Sequence, residues 1–164
     1  MKIENLMKSG KLKLIVFLIL AMMVQSVCGD YLTFHADAQR TGNVSDPGPD
    51  APNLLWKQKI TNHAIYGGSA ISGDRVYVSD CWDMSFSGEQ ALGCLGTING
   101  SVLWLNPIGG KGGASTPTIK GDRVFVGSFT GDLYCVNATS GETIWNKTLE
   151  TKSKWWGLIS SPLV

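Results

Sequence analysis

Two nearly identical hexapeptides lie 48 residues apart in this chain, GDRVYV at 73–78 and GDRVFV at 121–126. Each is followed by a second matching stretch, GCLGTINGSVLW at 93–104 and YCVNATSGETIW at 134–145. The last four residues, SPLV, match TPTI at 116–119. Because chance seldom repeats six residues with a single aromatic exchange, the chain is predicted to build one structural unit several times.

Each copy has the sequence pattern of a small β-sheet. β-Branched and aromatic residues alternate over five or six positions between Gly-Asp, Thr-Gly and Ser-Gly pairs, and no window keeps a helical period for three turns. In the second copy this pattern predicts antiparallel strands at 116–119, 123–128, 132–137 and 143–149. The copies recur every 41–48 residues, which is typical of propeller blades. The predicted fold class is therefore all-β, a partial β-propeller of four-stranded antiparallel blades.

Each matching stretch ends on a tryptophan that follows a glycine by four residues. A large flat ring at a fixed position fills the space between neighbouring sheets, and the glycine permits a turn with positive φ. A further tryptophan stands 48 residues before the first of these, which predicts the last strand of another blade at 53–60. The residues to which this reasoning assigns structural roles are Trp56, Trp104, Trp145, Gly100 and Gly141.

Residues 1–29 have the composition of an export signal. Four lysines precede an unbroken run of eleven apolar residues at 14–24, and small residues follow it. Eleven residues are too few to span a bilayer, which takes about 20, so cleavage after Gly29 is favoured over a retained anchor. Cys28 raises the alternative of a lipid anchor, which is disfavoured because Val27 stands where bacterial lipidation signals have a small residue. The chain is therefore predicted to be secreted or held at the cell surface.

The rest of the chain is predicted to contain an N-terminal extended segment at 30–52 and a partial propeller at 53–164. The predicted parts of the propeller are a closing strand at 53–60, a blade at 68–108, a blade at 113–150 and the start of a third blade at 157–164. About three blades do not close a ring, so further blades are expected downstream, in a longer protein.

The charge balance excludes one class of partner. Of the 14 basic and 13 acidic residues, four lysines and Glu4 lie in the predicted signal, which leaves 10 basic and 12 acidic residues. Nucleic-acid binding needs a basic patch or stripe, and the mature sequence has none. Nucleic acid is therefore excluded as a partner, and no stable membrane span is expected after signal cleavage.

The repeats resemble a known family. CLGTINGSVLW (94–104) and CVNATSGETIW (135–145) are similar to the tryptophan-docking repeat of the pyrroloquinoline-quinone-type (PQQ-like) β-propellers. FHADAQRTG (34–42) is similar to the segment that often opens secreted members. That family includes quinoprotein dehydrogenases and the non-enzymatic outer-membrane assembly lipoprotein BamB. The resemblance implies a propeller over most of residues 31–164.

This sequence departs from the family pattern where the quinone enzymes hold their cofactor. Those enzymes place the quinone against a disulfide of adjacent cysteines and use a calcium ion with an acidic base. No adjacent cysteine pair or acidic set can be assigned here. His35 and His63 are the only histidines, and neither has a Cys or carboxylate at metal-ligand spacing. The expectation is a propeller without quinone, with no catalytic, cofactor-binding or metal-binding residue.

Candidate modification sites follow from the predicted export. Cys81 lies in the stretch 80–92, which contains a seven-residue insertion where the second copy has only a short turn at 128–132, and a disulfide between Cys81 and Cys94 would pin this loop. The insertion is open to two interpretations, a recognition loop or a plain solvent loop. Asn137 is expected to cap a turn although it lies in an Asn-x-Ser/Thr sequence. The candidate glycosylation sites are Asn43, Asn99 and Asn146.

These observations favour a non-catalytic binding or scaffolding module at the cell surface, with a protein or a surface polymer as its partner. The alternative is the N-terminal part of a PQQ-dependent dehydrogenase whose catalytic blades lie downstream. An adjacent cysteine pair and an acidic calcium-binding set in those blades would favour the enzyme.

Overall fold

The computed structural model describes residues 30–44, 50–60, 65, 67–80, 91–108, 115–149 and 157–164. In this part of the chain, eight strands form two four-stranded antiparallel sheets in which consecutive strands are neighbours. The first sheet contains β1 (Ser69–Ser72), β2 (Arg75–Ser79), β3 (Ala91–Gly96) and β4 (Val102–Pro107). The second contains β5 (Thr118–Lys120), β6 (Arg123–Gly127), β7 (Asp132–Asn137) and β8 (Thr143–Thr148). The prediction of an all-β chain with one four-stranded sheet per copy is confirmed.

The repeated Gly-Asp pair forms the turn between the first two strands of each sheet. In both sheets the loop has two residues, and its glycine, Gly73 or Gly121, has a φ of 56° or 60°. A glycine with positive φ at the first position of a two-residue loop matches the twist of the strands that it joins. The repeated hexapeptide is therefore a turn followed by a second strand.

The two sheets repeat each other in detail. The predicted strands of the second copy agree with the observed bounds of β5, β6, β7 and β8 to within two residues. The register between the third and fourth strands shifts at the same repeat position, after Cys94 in the first sheet and after Cys135 in the second. The repetition of the sequence is thus a repetition of backbone geometry.

Two predicted strands are absent. Residues 53–60 and 157–164 contain no strand. A strand needs a paired neighbour, and the backbone hydrogen bond in 53–60 is a local one, from the Asn53 amide to the Ala51 carbonyl (2.8 Å). Residues 157–164 nevertheless continue the repeat. The amide of Thr116 donates to Oγ of Ser161 (3.1 Å), as the amide of Gly68 donates to Oγ1 of Thr116 (2.9 Å). One hydrogen bond therefore recurs from the first copy to the third.

The segment at 30–52, predicted to be extended, instead forms consecutive turns at 33–39. Short-range bonds also form within this segment. The Asp37 carboxylate accepts hydrogen bonds from the Thr41 amide (3.0 Å) and the Thr41 hydroxyl. The hydroxyl bond first, and the amide bond next, lower the pKa of the Asp37 carboxyl. Three residues of the segment other than glycine have positive φ: His35, Ala36 and Arg40.

The hydrophobic core lies between the two sheets. It is formed by buried side chains from both repeats, with Leu32 and Trp104 packed against it. The core residues are Ala70, Tyr77, Leu92, Cys94, Ile108, Ile119, Val124, Val126, Tyr134, Val136 and Ala138. Neither sheet buries its apolar residues alone, so the repeats stabilise one another. None of the described residues belongs to a helix that could cross a membrane.

Candidate functional site: the contacts between repeats

Trp104 joins the first sheet to the second. It lies on β4, and its indole N–H donates to the carbonyl of Ala138 (3.1 Å) in the turn between β7 and β8. Its ring covers Gly141, where a Cβ would lie 2.5 Å from Cδ2 of the indole. Gly141 also has a φ of 77°, which residues other than glycine rarely adopt. This position therefore requires glycine for two independent reasons.

Trp56 makes the same contact one repeat earlier. Its indole N–H donates to the carbonyl of Thr97 (2.8 Å), and a Cβ at Gly100 would lie 2.6 Å from Cδ2 of the ring. Gly100 has a φ of 69°. The segment that carries Trp56 has no strand structure, so the indole contact itself fixes this residue on the first sheet.

The single aromatic exchange between the repeated hexapeptides has a structural reason. Tyr77 is buried between the sheets, and its hydroxyl donates to the Ala138 carbonyl (3.2 Å), which also accepts from Trp104. Burial first, and the adjacent Cys94 thiol next, raise the pKa of Tyr77 to about 12. Its counterpart Phe125 lies on the opposite side of the second sheet and packs beside Trp145.

Asn106 is a contact residue that sequence reasoning missed. It lies two residues after Trp104 on the same strand, and therefore on the same face of the sheet. Its buried amide donates to the carbonyl of Gly141 (2.5 Å) and to the hydroxyl of Thr143 (2.9 Å). No local sequence signal identifies it, because its partners lie 35 and 37 residues later in the chain. Lys147 occupies the corresponding position in the second repeat.

Trp145 has no such neighbour among the described residues. It is 39% exposed, and its ring is tilted by 57° against that of Phe125, with centroids 6.1 Å apart. Its indole N–H has no acceptor in the part of the chain that the structure describes. The structure therefore places Trp56 and Trp104 in docking contacts and leaves Trp145 on an open face.

The cysteines of the repeat are buried thiols. Cys94 and Cys135 pair across the sheet with Trp104 and Trp145, respectively. Burial raises the pKa of both thiols, so both are protonated at neutral pH and are poor nucleophiles. Cys81 lies outside the described residues, and Cys94 is a free thiol in this structure. The disulfide between them remains a prediction.

The candidate glycosylation sites lie on the surface, since Asn43, Asn99 and Asn146 are all exposed. Oδ1 of Asn99 accepts a hydrogen bond from the amide of Ser101 (3.0 Å). Asn137 caps its turn as expected, because its Oδ1 accepts from two amides, those of Thr139 and Ser140 (2.9 Å each). Whether the three exposed sites carry glycan remains a prediction.

Other predicted features fall partly outside the described residues. The signal at 1–29, most of the insertion at 80–92 and His63 all lie there. His35 is described, and its ring contacts that of Phe34 edge-on, with centroids 4.2 Å apart. Within the described ranges, no three His, Cys, Asp or Glu side chains are grouped as metal ligands would be.

Four-stranded antiparallel sheets that pack face to face through repeated tryptophan contacts define the class of the protein as a β-propeller, present here in part. The sequence model of the family described as outer membrane protein assembly factor BamB matches residues 40–162. The chain belongs to this family. No curated protein sequence matches the chain.

The similar solved structures are propellers of the same kind. BamB from Moraxella catarrhalis is 22% identical, with a TM-score of 0.48 over 58% of this chain and 27% of that one. A europium-containing methanol dehydrogenase is 11% identical, with a TM-score of 0.61 over 79% of this chain and 25% of that one. A quinohemoprotein alcohol dehydrogenase from Pseudomonas putida HK5 is 13% identical, with a TM-score of 0.59 over 77% of this chain and 20% of that one. The chain thus spans between a fifth and about a quarter of their lengths, and the similarities to the two dehydrogenases support the fold alone.

Proposed function

We propose that this protein is an exported, non-catalytic propeller that binds or scaffolds a partner at the cell surface. The observation that carries the proposal is the match of residues 40–162 to the BamB family, whose description is that of an outer membrane assembly factor. A protein is the expected partner, with a surface polymer as the second candidate. Nucleic acid is not expected, because the mature sequence has more acidic than basic residues.

The use of polar groups between the repeats supports a non-catalytic role. The hydroxyl of Tyr77, the indole N–H of Trp104 and the amide of Asn106 all bond to groups of the next repeat. Ser79 likewise donates to the carbonyl of Ser115 (2.7 Å). Side chains that are fixed in structural bonds are not available to position a substrate, so these repeats serve to build a surface.

An exposed aliphatic group supports a protein partner. Leu54 and Leu55 are 80% and 85% exposed and precede Trp56, while Ile98 is 82% exposed in the turn on which Trp56 docks. The indole bond of Trp56 to Thr97 brings the segment of Leu54 and Leu55 to the turn of Ile98, and exposed apolar surface often marks protein-binding sites. We place the proposed contact at this group, which we name the Leu54–Leu55–Ile98 patch.

The binding role is tested by cross-linking on intact cells. Leu55→Asp is expected to reduce the yield of a specific cross-linked partner at least tenfold. Binding would remove the carboxylate from water into an apolar contact without a partner, which costs free energy. Val44→Asp, at an exposed apolar residue outside the patch, is the matched control and is expected to change nothing. An equal yield from the two variants would remove the patch from the proposal.

Export and catalysis are tested separately. N-terminal sequencing of the protein from the cell exterior is expected to begin at Asp30, and Leu18→Arg, in the middle of the apolar run, is expected to abolish export. The purified protein, incubated with pyrroloquinoline quinone and calcium, is expected to show no dye-linked oxidation of alcohols. Clear dye reduction would instead favour the alternative, the N-terminal part of a quinone-dependent dehydrogenase.

A further inference from the structure

The first described residues lie along β1 and β5, one strand from each sheet. Tyr31 and Ile71 of β1 form an isolated antiparallel bridge, with N–H···O distances of 2.8 and 2.7 Å. The amide of Ile119 in β5 donates to the carbonyl of Leu32 (2.8 Å). β1 and β5 are the first strands of their sheets, so these bonds satisfy groups on strand edges that have no other strand beside them.

The same segment also reaches the third copy of the repeat. The hydroxyls of Thr33 and Thr118 bond to each other (2.8 Å) in a buried position, and Thr118 also donates to the carbonyl of Pro162 (2.7 Å). The guanidinium of Arg40 donates to the carbonyl of Ser161. One short segment therefore contacts three successive repeats.

The conformation of the segment is strained. His35, Ala36 and Arg40 have φ values of 64°, 73° and 57°, in the left-handed region that side chains other than glycine rarely adopt. Such strain persists only where the surrounding structure holds it in place. The contacts at the two ends, to β1 and β5 on one side and to Ser161 on the other, are the contacts that can hold it.

We propose that residues 30–42 form a strap that fixes the spacing of β1, β5 and the segment at 157–164, covers the open edges of β1 and β5 and opens as a single unit. An ordinary N-terminal tail would loosen residue by residue. The strap instead couples its two ends, because the strained turns between them are stable only while both ends are attached. Loss of the Arg40 contact at one end therefore releases the edges of β1 and β5 at the other.

The test is amide hydrogen exchange on the full exported chain. Arg40→Ala is expected to accelerate exchange at Ile71 and Ile119 together, by about tenfold, while the amide of Val124 inside the second sheet is unchanged. Gln39→Ala, at an exposed side chain of the same segment, is the matched control and is expected to leave all three rates unchanged. A faster exchange confined to residues near Ser161 would show a local contact and overturn the proposal.

A second variant relieves the strain, so the predicted change in exchange rate has the opposite sign. Ala36→Gly removes the penalty of a positive φ, at the cost of some added freedom in the open segment. It is expected to slow exchange at Ile71 and Ile119 by about threefold. Loss of folding cannot produce slower exchange, so an unchanged or faster rate in this variant would also overturn the proposal.

Discussion

Trp104 and Trp145 occupy the same position in two copies of one repeat and have different surroundings. Each pairs across its sheet with a cysteine and lies beside the same shift of register. Trp104 donates to Ala138 and covers Gly141, whereas Trp145 stays 39% exposed beside Phe125. Since the sheets are alike, the difference comes from the neighbour. The burial of a repeat tryptophan is therefore a property of the contact between repeats.

The largest expected effect separates these two tryptophans. Trp104→Ala is expected to lower the free energy of unfolding by about 3–5 kcal/mol, as is usual for a large aromatic lost from a core contact. Trp145→Ala is expected to cost about 1 kcal/mol, because the ring has few contacts to lose. Urea unfolding followed by circular dichroism measures both values. Equal losses would mean that each ring stabilises its own sheet and not the contact between repeats.

The next effect concerns the glycine beneath the docked ring. Gly141→Ala combines the cost of a positive φ with a displaced indole, for an expected loss of about 2–5 kcal/mol. Gly121→Ala is the matched control, because its φ of 60° is similar and no atom lies within 4 Å of the added Cβ. It is expected to cost about 1–2 kcal/mol. The difference between the two variants measures the steric part of the docking contact.

The third effect concerns the polar part of the same contact. Asn106→Ala leaves the Gly141 carbonyl without its buried donor, and the expected loss is about 1–3 kcal/mol. Lys147→Ala, at the corresponding exposed position of β8, is expected to change stability by less than about 0.5 kcal/mol. The same urea experiment compares them. A comparable loss of stability in the Lys147 variant would show that a side chain at this position stabilises its own sheet and not the contact between repeats.

How far the sequence predicts this structure depends on how local each feature is. Strands β5–β8 and the turn glycines Gly100 and Gly141 follow from alternation and from a repeated turn, which neighbouring residues determine. The bonds of Asn106 join residues that are 35 and 37 positions apart, so no local pattern records them. The strap was missed for a related reason, since its left-handed turns are held by repeats much later in the chain.

The smallest expected effect concerns the exchange of tyrosine for phenylalanine between the copies. Tyr77→Phe removes one hydrogen bond to the Ala138 carbonyl, which Trp104 still partly satisfies, and is expected to cost about 1 kcal/mol. The matched control is Phe125→Tyr. Its added hydroxyl meets no acceptor in the described structure like the Ala138 carbonyl at Tyr77, so this variant is expected to change stability by less than about 0.5 kcal/mol.

The alkaline pH dependence sharpens this last comparison. Burial raises the pKa of Tyr77 to about 12 from its ordinary value of 10.0, so the folded protein favours the neutral phenol that donates to Ala138. The stability that this group contributes is fully present below pH 10 and is lost as the pH rises from 10 through about 12. Tyr77→Phe has no phenol to ionise, so its stability is expected to fall less steeply across that window than the stability of the wild-type protein. Urea unfolding at a series of alkaline pH values gives the two slopes. Identical slopes would show that the phenol of Tyr77 ionises as freely in the folded protein as in the unfolded chain, and that its bond to the second repeat does not stabilise the contact between them.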